Sequence, residues 1–171
     1  MKLDENVAAF GLFHLAFADL HQRLAIAVFC LKGLSEPGLQ FQNVFNMRFS
    51  ELLRALKKEL KQIEEVWSYA ADVQQLRKVC ASAREIAEWR NPRTHPRVQM
   101  DDAGIAIFDA RTLKPLGINA DECMQKIEQA IAVGVWLEMT AMRLVREIKS
   151  DREWGRMIRE AFRSIAQVSA Q

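Results

Sequence analysis

Residues Ala83–Phe108 read AREIAEWRNPRTHPRVQMDDAGIAIF, and the two halves of this stretch follow different periods. Up to Trp89 the apolar residues continue a helical stripe. After Pro96 the runs RVQM and IAIFD alternate around an Asp-Gly type turn, as a two-stranded hairpin does. The switch falls on RNPRTHP, Arg90 to Pro96, where two arginines, an asparagine and a histidine gather around two prolines. Pro92 disfavours helical geometry at Asn91, so a helix is expected to end there.

Upstream, Asp4–Leu34 contains no proline and sets Phe10, Phe13, Phe17, Leu20, Leu24, Ala27 and Leu31 at intervals of three and four. GLSEPG ends it. A second helix is expected from Phe45 to Trp67 on the stripe Phe49, Leu52, Leu53, Leu56, Leu60, Ile63 and Trp67, with Arg54, Lys57, Lys58, Lys61, Glu64 and Glu65 on its solvated face. A third spans Asp72 to Trp89 on Val73, Leu76, Cys80, Ala83 and Ile86 or Ala87.

Downstream, ARTLKPLG is turn-rich, and Asn119 with Glu122 forms a capping-box pattern. It opens a fourth helix through Met124, Ile127, Ile131, Val135 and Met142 to about Lys149. Ser150 and Glu153 repeat the signal and predict a separate last helix. Its Arg152, Arg156, Arg159 and Arg163 make a basic stripe, ordinarily a solvated face.

The expected fold is all-α: an antiparallel bundle of four to five helices in a single domain, with residues 1–149 as the bundle, a small β-hairpin near 97–109 between the third and fourth helices, and 150–171 as an amphipathic C-terminal helix. With 171 residues and 50% of them hydrophobic, the chain can bury one core. Lys+Arg 24 against Asp+Glu 22 leaves a net charge of +2, so an anion site has to be local. Cys30, Cys80 and Cys123 are odd in number and far apart, which suits core thiols in a reducing compartment. The acidic N-terminus and the charges interrupting the first helix lead to the expectation of a cytoplasmic protein without a membrane span.

His14 and His21 lie two turns apart on one helix, roughly 10 Å at about 1.5 Å per residue, too far to share a metal. They read as a polar core pair. No metal motif, P-loop or dinucleotide fingerprint occurs, so neither metal nor cofactor is expected. RNPRTHP, in contrast, holds the groups that cleave RNA without metal. Arg90 binds a phosphate bidentately, Asn91 supports by hydrogen bonds, and His95 moves a proton near neutral pH. Arg93 and Arg97 are further candidates for phosphate. One histidine cannot be both base and acid in the same step, so the chemistry calls for a second copy in a twofold dimer.

EWRNPRTH resembles the Arg-x4-His motif of the HEPN family (higher eukaryotes and prokaryotes nucleotide-binding), with Arg90, Asn91 and His95 at the matching positions. Pro92 falls between Arg90 and His95, and Thr94 and Pro96 stand where many members have a small residue and glycine. The order of elements over roughly Phe10 to Leu144 is also similar to bacterial members. The resemblance implies a dimeric α-helical bundle with both motifs in one cleft. It also implies a metal-independent endoribonuclease of toxin-antitoxin, phage-defence or RNA-processing type, with Arg90 and His95 as the catalytic pair. RNA or a nucleotide is the expected ligand, and an antitoxin or nucleotidyltransferase the expected protein partner. The alternative is a non-catalytic module that binds nucleotide, RNA or protein through the same cleft.

Overall fold

The computed structural model describes residues 5–36, 38–66, 70–94, 96–101, 104–109, 112 and 119–168. The chain is mostly helical, as the apolar stripes require. Helix α1 spans Glu5–Lys32, α2 Phe41–Phe45, α3 Phe49–Val66, α4 Ala70–Thr94 and α5 Ala120–Val168, and strands β1 (Pro96–Asp101) and β2 (Gly104–Asp109) lie between α4 and α5. The strands pair antiparallel, with Arg97 opposite Phe108 and Asp101 opposite Gly104.

The four long helices pack in a ring. Both α1 and α4 lean on α3 on one side and α5 on the other, so α3 and α5 stand diagonally across the bundle. The interior is filled by the stripes of the first three helices: Phe13, Phe17, Leu20, Leu24 and Leu31 from α1, Leu52, Leu56 and Leu60 from α3, and Val73, Leu76, Cys80, Ala83 and Ile86 from α4 are all buried. Residues from Ala8 to Lys32 are apolar and long enough to cross a membrane by length and composition, and the apolar side chains of this stretch form much of the core.

The bundle is not antiparallel throughout. Asn6 meets Ala120, Arg23 meets Glu138 and Leu34 meets Arg152, so α1 and α5 run in the same direction. Phe17 on Phe49 and Ser35 near Glu59 make α1 and α3 parallel as well. The cause is the segment after α1, which turns at Gly38 (φ 92°, a left-handed conformation that favours glycine) and returns through α2. It ends beside the middle of α1, where His21 Nε2–H donates to the Met47 carbonyl at 3.0 Å. Helix α4 alone runs against its neighbours, tied by Arg77 to Glu64 of α3 and by Arg143 of α5 to Asp72.

The expected second helix from Phe45 is divided, with α2 ending there and α3 starting at Phe49; two later boundaries and one helix face also differ from the sequence expectation. Helix α4 continues through Pro92 to Thr94. The proline removes the amide that would bond to the Glu88 carbonyl, yet the last turn holds because Arg93 stacks on Trp89 and donates to its carbonyl at 2.8 Å. Helix α5 passes Ser150 and Glu153 unbroken, so their capping pattern starts nothing: serine and aspartate are only mildly unfavourable inside a helix. The last difference is the face of α5. Cys123, Ala130, Leu137, Ala141, Leu144 and Ile148 are buried, whereas Met124, Ile131 and Met142 are exposed. Asn119 does cap α5, accepting from the Asp121 amide at 2.8 Å.

Helices α1 and α5 approach closely at Gly134, where an added Cβ would come within 2.7 Å of Arg23 Cδ and 3.7 Å of Leu20 Cα. Arg23 bridges Asp19 (2.7 Å) and Glu138 (2.5 Å) at this level. Gly134→Val is expected to part the helices and lower stability by about 1–3 kcal/mol in urea unfolding. Glu59 is 4% exposed beside Ser35, and burial raises its carboxyl above the ordinary value of 4.5, against the pull of Lys32. A raised folded value means that ionisation costs more in the folded state, so the contribution to stability is full below 4.5 and is lost as pH rises through the folded value. Glu59→Gln is therefore expected to melt higher than the wild type at pH 8, with the gap closing as pH falls toward 4.5.

Candidate functional site

The C-terminal half of α4 places consecutive residues on two different supports. Trp89 points at α1 and α5: its ring meets Phe13 edge-on with centroids 4.8 Å apart, and its Nε1–H donates to Glu122 at 2.5 Å. Glu122, the third residue of α5, is thereby drawn away from the reciprocal half of its capping box. Arg90 turns to the other side, with its guanidinium 4.6 Å from the centroid of Phe17. Burial pulls this guanidinium below its ordinary value, and an arginine remains cationic at neutral pH regardless.

Arg90 and exposed Asn91 line a cavity of about 560 Å³ between α3 and α4, floored by Phe17, Phe49, Leu53 and Ala87. Its rim carries Arg48, Arg54, Lys57 and Arg84, with Glu88 as the single acid among the lining residues. Glu88 pairs with Arg84 at 2.7 Å, which leaves Arg48, Arg54, Lys57 and Arg90 as the excess positive charge. Arg54 and Lys57 have no ion-pair partner among the described residues. Read from the sequence these two are solvated helix surface; the tertiary fold makes them the wall opposite the motif. Cys80 also lines the cavity, but burial pushes its thiol up to about 11, so it holds no thiolate for nucleophilic attack at neutral pH.

The other motif residues divide. Arg93 is not a solvated loop residue: its side chain is 15% exposed, stacked 4.1 Å above Trp89 and 3.7 Å from Glu122, so its charge is committed to the α4–α5 junction instead of a phosphate. Arg97 sits in β1 opposite Phe108, and His95 lies outside the described residues.

His14, expected from the sequence to form a polar core pair with His21, lies instead within the electrostatic reach of Arg90. On α1, it packs edge-on against Phe10 (4.6 Å) and beside Phe13 (6.1 Å), and burial first, then the charge of Arg90, hold its imidazole below the ordinary 6.5. No linear spacing links residues 14 and 90; only the packing of α4 on α1 brings their charges into range. His21, by contrast, is bound to the Met47 carbonyl, as a structural histidine is. Among the described residues no three His, Cys, Asp or Glu side chains gather closely enough to hold a metal ion.

Comparison with protein-family models, curated proteins and solved structures finds no match to this chain. A histidine titration by NMR tests the electrostatics of the site. His14 is expected to titrate below 6.5 and to move upward in Arg90→Met, which keeps an apolar stem over Phe17 and removes the charge. An unchanged midpoint would mean that Arg90 does not act on it.

Proposed function

We propose that this chain is a HEPN-like, RNA-directed protein that acts as a metal-independent endoribonuclease. In this reading Arg90 steadies the charge on the attacked phosphate, Asn91 holds the ligand, and His95 moves the proton of the 2′-hydroxyl. The observation that carries the assignment is the basic cavity: Arg90 and Asn91 share it with Arg48, Arg54 and Lys57, a cluster of cations that attracts a phosphate backbone. On the apolar floor the partly exposed Phe49 offers aromatic surface to a base. A second copy of the chain would supply the second histidine, and an antitoxin or nucleotidyltransferase would be the matching regulator.

A non-catalytic reading is favoured by a separate observation: three of the four excess cations, Arg54 and Lys57 on α3 and Arg48 just before it, lie away from the motif and would bind phosphate without any help from His95.

Two measurements on the full chain distinguish these readings. Fluorescence anisotropy with a short RNA is expected to show binding that weakens with salt, and Arg54→Glu with Lys57→Glu is expected to reduce affinity at least about 10-fold, while Lys126→Glu on α5 leaves it unchanged. In chelator, the wild type is expected to cleave RNA, and Arg90→Ala and His95→Ala each to abolish cleavage. Binding with no cleavage selects the non-catalytic reading, and no binding overturns both.

A further inference from the structure

Helix α5 is apolar on two opposite sides. One side, Cys123, Ala130, Leu137, Ala141, Leu144 and Ile148, fills the bundle. The other carries Ile131 (48% exposed), Trp136 (54%) and Met139 (65%), continued by Met124 and Met142, on a helix whose inner face is already satisfied. Large side chains this exposed and this closely grouped are costly to leave in water.

Between residues 128 and 146, the order of residues on that outer face is self-complementary. At about 100° per residue, Glu128, Val135, Met139 and Arg146 form one row directly opposite buried Leu137. Val135 and Met139 lie two residues to either side of Leu137, and Glu128 and Arg146 lie nine to either side. Ile131 and Met142 share one flank of the row, six residues before and five after. Glu128 and Arg146 are both exposed, and neither has an ion-pair partner among the described residues.

We infer that the outer face of α5 binds a second copy of this chain, helix against antiparallel helix about a twofold axis at the level of Leu137. In that pairing each Val135 meets Met139 of the second copy, each Ile131 packs beside its Met142, and Glu128 of each chain reaches Arg146 of the other, twice by symmetry. The Glu128–Arg146 and Val135–Met139 pairs share one midpoint at Leu137, so a single twofold axis satisfies both. Charge complementarity within a single sequence is what an isologous contact needs.

Helix α5 stands diagonally across the bundle from α3, so this contact leaves the basic cavity of each copy open. The pairing goes beyond the RNA reading and is independent of what the cavity binds. It gives a particle with two separated cavities, and a strand long enough to reach both would gain avidity from the second. A cleft combining two motifs would require a further contact through another surface.

Sedimentation equilibrium of the full chain, without RNA, tests the assignment. The wild type is expected at twice the 19.6 kDa chain mass at micromolar concentration. Met139→Lys is expected to raise the dimer dissociation constant at least about 10-fold, and Glu128→Arg or Arg146→Glu alone by about 10-fold. The double variant Glu128→Arg/Arg146→Glu is expected to return to within about 3-fold of the wild type, a rescue that misfolding does not produce. Circular dichroism on each variant checks that the helices are retained. A monomeric wild type overturns the inference, as does a dimer that Met139→Lys leaves intact or that the double charge exchange fails to restore.

Discussion

The end of α4 is held by one aromatic anchor, and the rest of the site follows from it. Trp89 is fixed from three directions: Phe13 of α1 against its edge, Glu122 of α5 on its indole N–H, and the Arg93 guanidinium over its face. A ring bound to two other helices sets both the position and the rotation of α4. Once Trp89 faces α1 and α5, the next residue is rotated by about 100° and can only lie toward Phe17 and α3. The same anchor explains why the helix survives Pro92. The carbonyl and cation around the break are used in the Trp89 cluster, and tertiary contacts of this kind outweigh a local propensity of roughly 3 kcal/mol.

Charge is arranged around this anchor with little waste. A chain with a net charge of only +2 collects four cations in excess around one cavity because α3 turns Arg54 and Lys57 toward the C-terminal half of α4, where Arg48 and Arg90 join them. Arg90 sits at the inner edge of that cavity on an aromatic ring, half-buried, where field lines are less screened by water than at the exposed Arg54 and Lys57. The cost appears in His14, whose imidazole is held below its ordinary value by burial and by Arg90 itself.

Much of the core was legible in the linear pattern, because burial on a single-faced helix leaves a period. Phe13, Phe17, Leu20 and Leu24, then Leu52, Leu56 and Leu60, then Val73, Leu76 and Cys80 are buried as their spacing requires. Helix α5 was misread for a physical reason: it carries two apolar faces, and periodicity alone cannot say which of them a bundle takes. Helix direction was misread too. A short connection suggests an antiparallel neighbour, but the segment from Gly33 to Arg48 spends its length travelling back along α1, which makes α1 and α3 parallel.

The sequence by itself determined that this chain is helical, which residues of α1, α3 and α4 lie inside, and that Arg90 and Asn91 form a polar cluster at a helix end. Those properties depend on neighbours within a few turns, where geometry is fixed by the backbone. Only the tertiary structure decided that Arg54 and Lys57 face Arg90 across a cavity, that Arg93 serves Trp89, and that His14 feels the charge of residue 90. Each of these joins positions dozens of residues apart, and their meeting depends on the rotation and direction of whole helices, which side-chain packing at Trp89, Phe17 and Gly134 fixes.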